Sequence, residues 1–193
     1  MEADWEVEVG GSAPVIEAHW PGFIDLRAEP MRIADVTETK AFPPLAELLL
    51  ALNSVGSPVW TSKCDVWEPE PGTLACYVDL LPLRGGVFAE WERAEAFCRV
   101  LVKRIAPRAV PAVETQPGHH PILILSDEMG SAATITLVVR RAITEQAEGF
   151  GVTAYFSADS QCHPNAATAT EAAMVAFSDA LAKAPSHVGR DQS

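Results

Sequence analysis

The chain has 193 residues and a mass of 20.7 kDa, enough for one compact domain whose core needs no metal or disulfide staple. It carries 14 Lys and Arg against 26 Asp and Glu, a formal net charge of -12, which argues against a nucleic-acid backbone or an anionic membrane as its main partner. Residues of apolar type make up 48% and charged residues 21%. That is globular composition, and no apolar run reaches the roughly 18 residues of a membrane span.

In chain order, Trp5, Val7 and Val9 alternate with Glu6 and Glu8, a short strand with one wet face. The acidic N-terminus lacks the apolar stretch of a secretory signal, so a cytoplasmic location is expected. In that compartment Cys64, Cys76, Cys98 and Cys162 are free thiols. A second strand over 14–20 alternates Ile16, Ala18 and Trp20 with Glu17 and His19, and Pro21-Gly22 ends it. Residues 27–42 follow neither period and read as an irregular connection.

Pro43-Pro44 suits a first helical turn, and Leu45, Leu48, Leu49 and Leu52 then form one apolar stripe. Residues 59–67 and 74–81 read as a hairpin. Trp60, Cys64, Val66 and the return-strand residues Leu74, Cys76, Val78 and Leu80 face the core. If Val66 pairs with Leu74, Cys64 stands opposite Cys76. A long helix follows over 87–105, with Trp91, Ala94, Cys98, Leu101, Val102 and Ile105 on one face. Residues 106–120 read as a loop. Ile122 to Leu125 reads as a buried strand, and 133–141 with 150–158 as a second hairpin. An alanine-rich helix over 166–183 closes the chain, with Thr168 and Glu171 in capping-box spacing.

This order places the chain in the α+β class: an antiparallel sheet with helices packed on one face. Its β-α-β-β-α-β string predicts a ferredoxin-like split βαβ core with extra strands and a C-terminal helix. Residues 1–184 form a single domain and 185–193 a flexible tail.

No nucleophile elbow, zincin helix, Walker loop or dinucleotide fingerprint is present. His119-His120 and Cys162-His163 are loop neighbours, and adjacent residues do not readily face one metal. Strand parity is more informative. The positions opposite the core-facing ones include Glu17, His19, Thr61, Lys63, Asp65, Trp67, Tyr77, Asp79, Thr134, Thr136, Arg140, Thr153, Tyr155 and Ser157.

Three functions follow from that face. The leading one is a non-catalytic protein that forms a homo-oligomer or binds a protein partner through it, with Trp67, Tyr77 and Tyr155 as anchors. The alternative is an enzyme or binding protein for a polar small molecule. There His19 would carry the proton, Asp65 or Asp79 would orient it, and Lys63, Tyr77, Arg140 and Tyr155 would complete the site. The last is a metal-dependent hydrolase using Glu17, His19, Asp65 and Asp79. No cofactor is expected.

Overall fold

The computed structural model describes residues 15–105, 112–114, 122–126, 133–159 and 165–183; for 112–114, 122–126 and 159 it describes the backbone alone. The expected strand near residue 5, both His-containing loop pairs and the C-terminal tail lie outside these residues.

β1 is short, Ile16–Glu17. The connection after it holds a 3-10 helix, Pro30–Asp35, and a four-residue helix α1, Glu38–Ala41. Helix α2 spans Pro44–Leu52 and buries all four leucines of its predicted stripe. The first hairpin is β2, Val59–Trp67, with β3, Thr73–Pro82. Helix α3 spans Trp91–Ile105. It begins four residues later than expected because Phe88 exchanges two backbone hydrogen bonds with Phe150, which keeps the preceding chain extended. The predicted loop contains β4, Ala112–Glu114. β5 covers Ile122–Ser126, and the second hairpin is β6, Ala133–Ile143, with β7, Glu148–Asp159. Helix α4 runs Ala166–Ala182. Its N-cap is Asn165, whose side chain accepts from the Thr168 amide at 3.2 Å, in place of the expected Thr168 cap.

The class is α+β, but the sheet is neither purely antiparallel nor ferredoxin-like. Its strands run β2-β3-β7-β6-β5-β4, and β1 lies parallel to β6. A ferredoxin-like sheet would place β1 between β3 and β5, because each β-α-β unit leaves room for one strand between its two. Here β3 instead pairs antiparallel with β7, far along the chain, and β1 lies parallel to β6, while the remaining pairings are antiparallel. Element order restricts topology but does not choose partners, and the longest ladders form between β6 and β7 and between β3 and β7.

The helices do share one face. Cys76, Val78 and Leu80 of β3, Ile135, Leu137 and Val139 of β6, and Val152, Ala154 and Phe156 of β7 pack beneath them. Phe156 meets Phe177 of α4 edge-on at 5.3 Å. The other face carries a smaller core of Ile16, Ala18, Trp60, Leu81, Val87 and Ala142. Both faces are therefore partly roofed, and the second is not the open surface that alternation alone implies.

A β-bulge in β2 corrects the predicted parity. Thr61 pairs with Leu80 and Cys64 with Val78, so Ser62 and Lys63 together oppose Asp79. Before the bulge the phase is reversed: Thr61 turns toward the helices and Trp60 away from them. After it, the predicted faces hold. The hairpin register also differs from the expected one by two residues, since Val66 pairs with Cys76. Cys64 and Cys76 thus share a face as diagonal neighbours, not as a direct pair. Burial pushes the Cys64 and Cys98 thiols up to about 12 and raises that of Cys76 as well.

Asn53 joins α2 to the bulged strand. Its amide nitrogen donates to the Leu49 carbonyl at 2.8 Å and to the Thr61 hydroxyl at 2.7 Å, and its oxygen accepts from the Thr61 amide at 3.2 Å. All of this is buried, so Asn53→Ala leaves the Thr61 amide and hydroxyl without their Asn53 partners, while the Leu49 carbonyl keeps the residue-53 backbone N–H at 3.0 Å. Urea melting is expected to show a loss of about 1–3 kcal/mol; a loss below about 0.5 kcal/mol would contradict the clamp.

Candidate functional site

Five strands assemble a hollow on the face away from the helices. β5 covers the edge of β6 from Thr134 to Val138, and β1 takes over the same edge at Ala142 and Ile143. The chain then crosses to β2. There the Ser62 hydroxyl reaches the carbonyls of Glu17 at 2.7 Å and Ala18 at 3.2 Å, and the Trp20 indole N–H donates to the Ser62 carbonyl at 3.5 Å. The mixed sheet of β2, β3, β7, β6 and β1 is consequently nearly barrel-shaped.

Inside the curl lies a cavity of about 70 Å³ lined by Val15, Ile16, Lys63, Tyr77, Asp79, Arg140, Thr153 and Tyr155. This is room for a few waters or a group of a few heavy atoms, well below the roughly 300 Å³ of sites for drug-sized ligands. The register explains the convergence. Asp79 stands opposite Thr153 and Tyr77 opposite Tyr155, while Arg140 stands opposite Gly151. Only a glycine fits at that last place: a Cβ there would lie 2.9 Å from Ile16 Cδ1 and 3.0 Å from the Leu80 carbonyl oxygen.

The polar groups are deeply placed. Arg140 is 4% exposed, Asp79 6%, Tyr155 3% and Thr153 1%. The Thr153 hydroxyl donates to Asp79 Oδ1 at 2.6 Å. Arg140 Nη2 donates to the Tyr155 hydroxyl, and the guanidinium stands 5.7 Å from that ring's centroid. Trp67, Tyr77 and Tyr155 continue as an aromatic row across three strands, at 6.2 and 5.7 Å between centroids. The lining thus offers two cations, one carboxylate and two phenols. Among the described residues it contains no histidine, serine or cysteine.

The structure therefore brings together Lys63, Tyr77, Asp79, Arg140 and Tyr155 from the predicted face. Asp65 shares their parity but is exposed, and its Oδ1 accepts from the neighbouring Val66 amide at 2.7 Å. Glu17 and His19 do not line the cavity. The alternation of β1 holds only through Ala18, after which the chain turns and Phe23 N donates to the Trp20 carbonyl at 2.9 Å. Trp20 is half-buried where a core position was expected. His19 stacks on Trp60 at 5.5 Å and meets Phe23 edge-on at 5.0 Å. The Arg27 guanidinium lies 4.3 Å from the same Trp60 ring. Arg27 is paired with Asp25 at 3.0 Å and holds that carboxyl below its ordinary range. The four-residue metal set does not form, and no group of three His, Cys, Asp or Glu side chains among the described residues could hold a metal ion.

Sequence reasoning missed the roles of Trp60 and Ser62. The signal was present in Thr61-Ser62-Lys63, three successive polar residues inside an alternating strand. The chain matches no family model, no curated protein and no solved structure.

Gly151→Ala forces a Cβ against β1 and the β3 backbone. We expect a loss of about 1–3 kcal/mol in chemical denaturation. Hydrogen exchange at the Ala18 amide, which donates to the Ile143 carbonyl at 2.9 Å, should become faster. An unchanged exchange rate would contradict the seating of β1 on the hollow.

Proposed function

We propose that the protein is a binding protein that takes a small anionic group, a carboxylate or an inorganic oxyanion, in the hollow between β1, β2, β3, β6 and β7. The observation that carries this reading is the burial of Arg140 and Asp79 on one cavity wall, each less than a tenth exposed. Burying an ion costs several kcal/mol after relaxation, and apolar residues of equal volume usually serve stability better. Two such groups at neighbouring positions, flanked by Lys63, are accounted for by recognition. Among the described residues Lys63 and Arg140 outnumber Asp79 in the lining, within a chain of charge -12. The cavity volume limits the bound part to a few heavy atoms.

A second reading keeps the expectation of a homo-oligomer or protein partner. What favours it is the row of Trp67 and Tyr77, which is half-buried and leads from the cavity toward the turn of the first hairpin. Aromatic rings of this kind anchor interfaces.

Amide NMR titration with acetate, phosphate and sulfate tests the first reading. Saturable shifts are expected at Gly151 and Thr153. Lys63→Met should weaken them about tenfold while leaving the spectrum dispersed, because a charge-assisted hydrogen bond is worth about 1.5–3 kcal/mol. Arg140→Met should abolish them. No saturable shift with any of the three anions, in a protein that stays folded, would overturn the proposal. Light scattering on the same samples decides the second reading, since a monomer across the concentration range removes the homo-oligomer.

A further inference from the structure

The bulge that sends Lys63 into the anionic-ligand hollow sends Ser62 toward a different cavity. This one has a volume of about 210 Å³ and lies between the segment 20–26, the start of α1, α2 and β2. Its character is opposite. Among the described residues, Asp35 and Glu38 are the only charged ones in its lining, and both are acidic. Much of the remainder is apolar or aromatic, with Leu49 as the floor and Trp20 as one wall.

The acids are not equivalent. Asp35 is engaged by Arg32 at 2.9 Å. Glu38 is half-buried, and among the described residues no ion pair or hydrogen bond engages its carboxylate. Its charge also reaches across the cavity to Cys64, where it adds to burial in raising the thiol. Trp20 is fixed in place. Gly22 holds a φ of +111°, and a Cβ there would fall 2.6 Å from the indole Cζ3, so the ring packs against a position that only glycine can occupy. The ring already attracts a cation, because the Lys63 ammonium stands 5.5 Å from its centroid.

A carboxylate facing an indole across an apolar floor is the chemistry that recognises alkylammonium ions. A bare metal ion is disfavoured, since one uncommitted carboxylate is too few ligands. An anion would meet the two carboxylates of the lining. We propose that this cavity binds a small alkylammonium ion, held by the Glu38 carboxylate against Trp20. The two cavities share no lining residue; Lys63 stands near Trp20, so Glu38→Gln and Arg140→Met, which touch one cavity each, tell the two proposals apart.

The test compares tert-butylammonium with tert-butanol, a neutral molecule of nearly the same shape, at matched ionic strength on the full chain. The readout is the Trp20 indole N–H resonance, assigned by its absence in Trp20→Phe. Tert-butylammonium should give a saturable shift in the millimolar range, and tert-butanol should bind at least about tenfold more weakly. Glu38→Gln should weaken tert-butylammonium about tenfold, while Glu70→Gln on the exposed hairpin turn leaves it unchanged. A spectrum that stays dispersed in Glu38→Gln separates lost binding from lost fold; if that variant unfolds, the comparison with tert-butanol in the unaltered chain decides alone. Absence of saturation, equal binding of the neutral molecule, or equal loss in Glu70→Gln would each overturn the proposal.

Discussion

Two residues of β2, Ser62 and Lys63, stand against one residue of β3, Asp79, and the rest of the molecule's second face depends on this bulge. A bulge inverts which side chains point to which face and sharpens the local twist. Ahead of it, Trp60 turns outward to form the small core with Ile16 and Ala18, and Thr61 turns inward to Asn53. At the bulge, the Ser62 hydroxyl holds the two carbonyls that bring β1 across the sheet. Together with the pairing of β1 on β6, those bonds close this end of the sheet beside the cavity that Arg140 lines.

The same bulge separates two cavities of opposite sign. Lys63 belongs to a lining with two cations, and Ser62 to one with two carboxylates. At close range inside partly dry walls, local charge outweighs the net charge of the chain, because distant surface charges are screened within about 8–10 Å. An acidic protein can thus present a cationic hollow. The charge of -12 bears on solubility and on nucleic acid as a poor partner, and says little about a small ligand at either site.

Burial of Arg140 and Asp79 has a structural counterpart in the glycine at 151. The guanidinium stands opposite a residue with no side chain, and β1 closes down over the vacant position. Packing and polarity are therefore coupled here. The Ile16 side chain that seals the small core also forms part of the polar cavity's wall. A change in one is transmitted to the other through direct contact, without any longer path through the fold.

Local pattern was enough to read helix α2 and its four buried leucines, both hairpins, and the outward parity of Lys63, Tyr77, Asp79, Arg140 and Tyr155. Periods of 3.6 and 2 follow from backbone geometry, so residues alone determine them. Which strand pairs with which lay beyond that pattern. The partnership of β3 with β7 is won by competition among ladders, and the crossing of β1 depends on the Ser62 hydroxyl meeting carbonyls more than 40 residues away. His19 shows the consequence. Its alternation with Ala18 is real, but Pro21-Gly22 and the stack on Trp60 carry it away from the cavity that its parity implied. The chain by itself determined what each segment wants to bury; only the tertiary structure decided what each buried face meets, because long-range contacts are set by the packing of the whole and not by any one stretch.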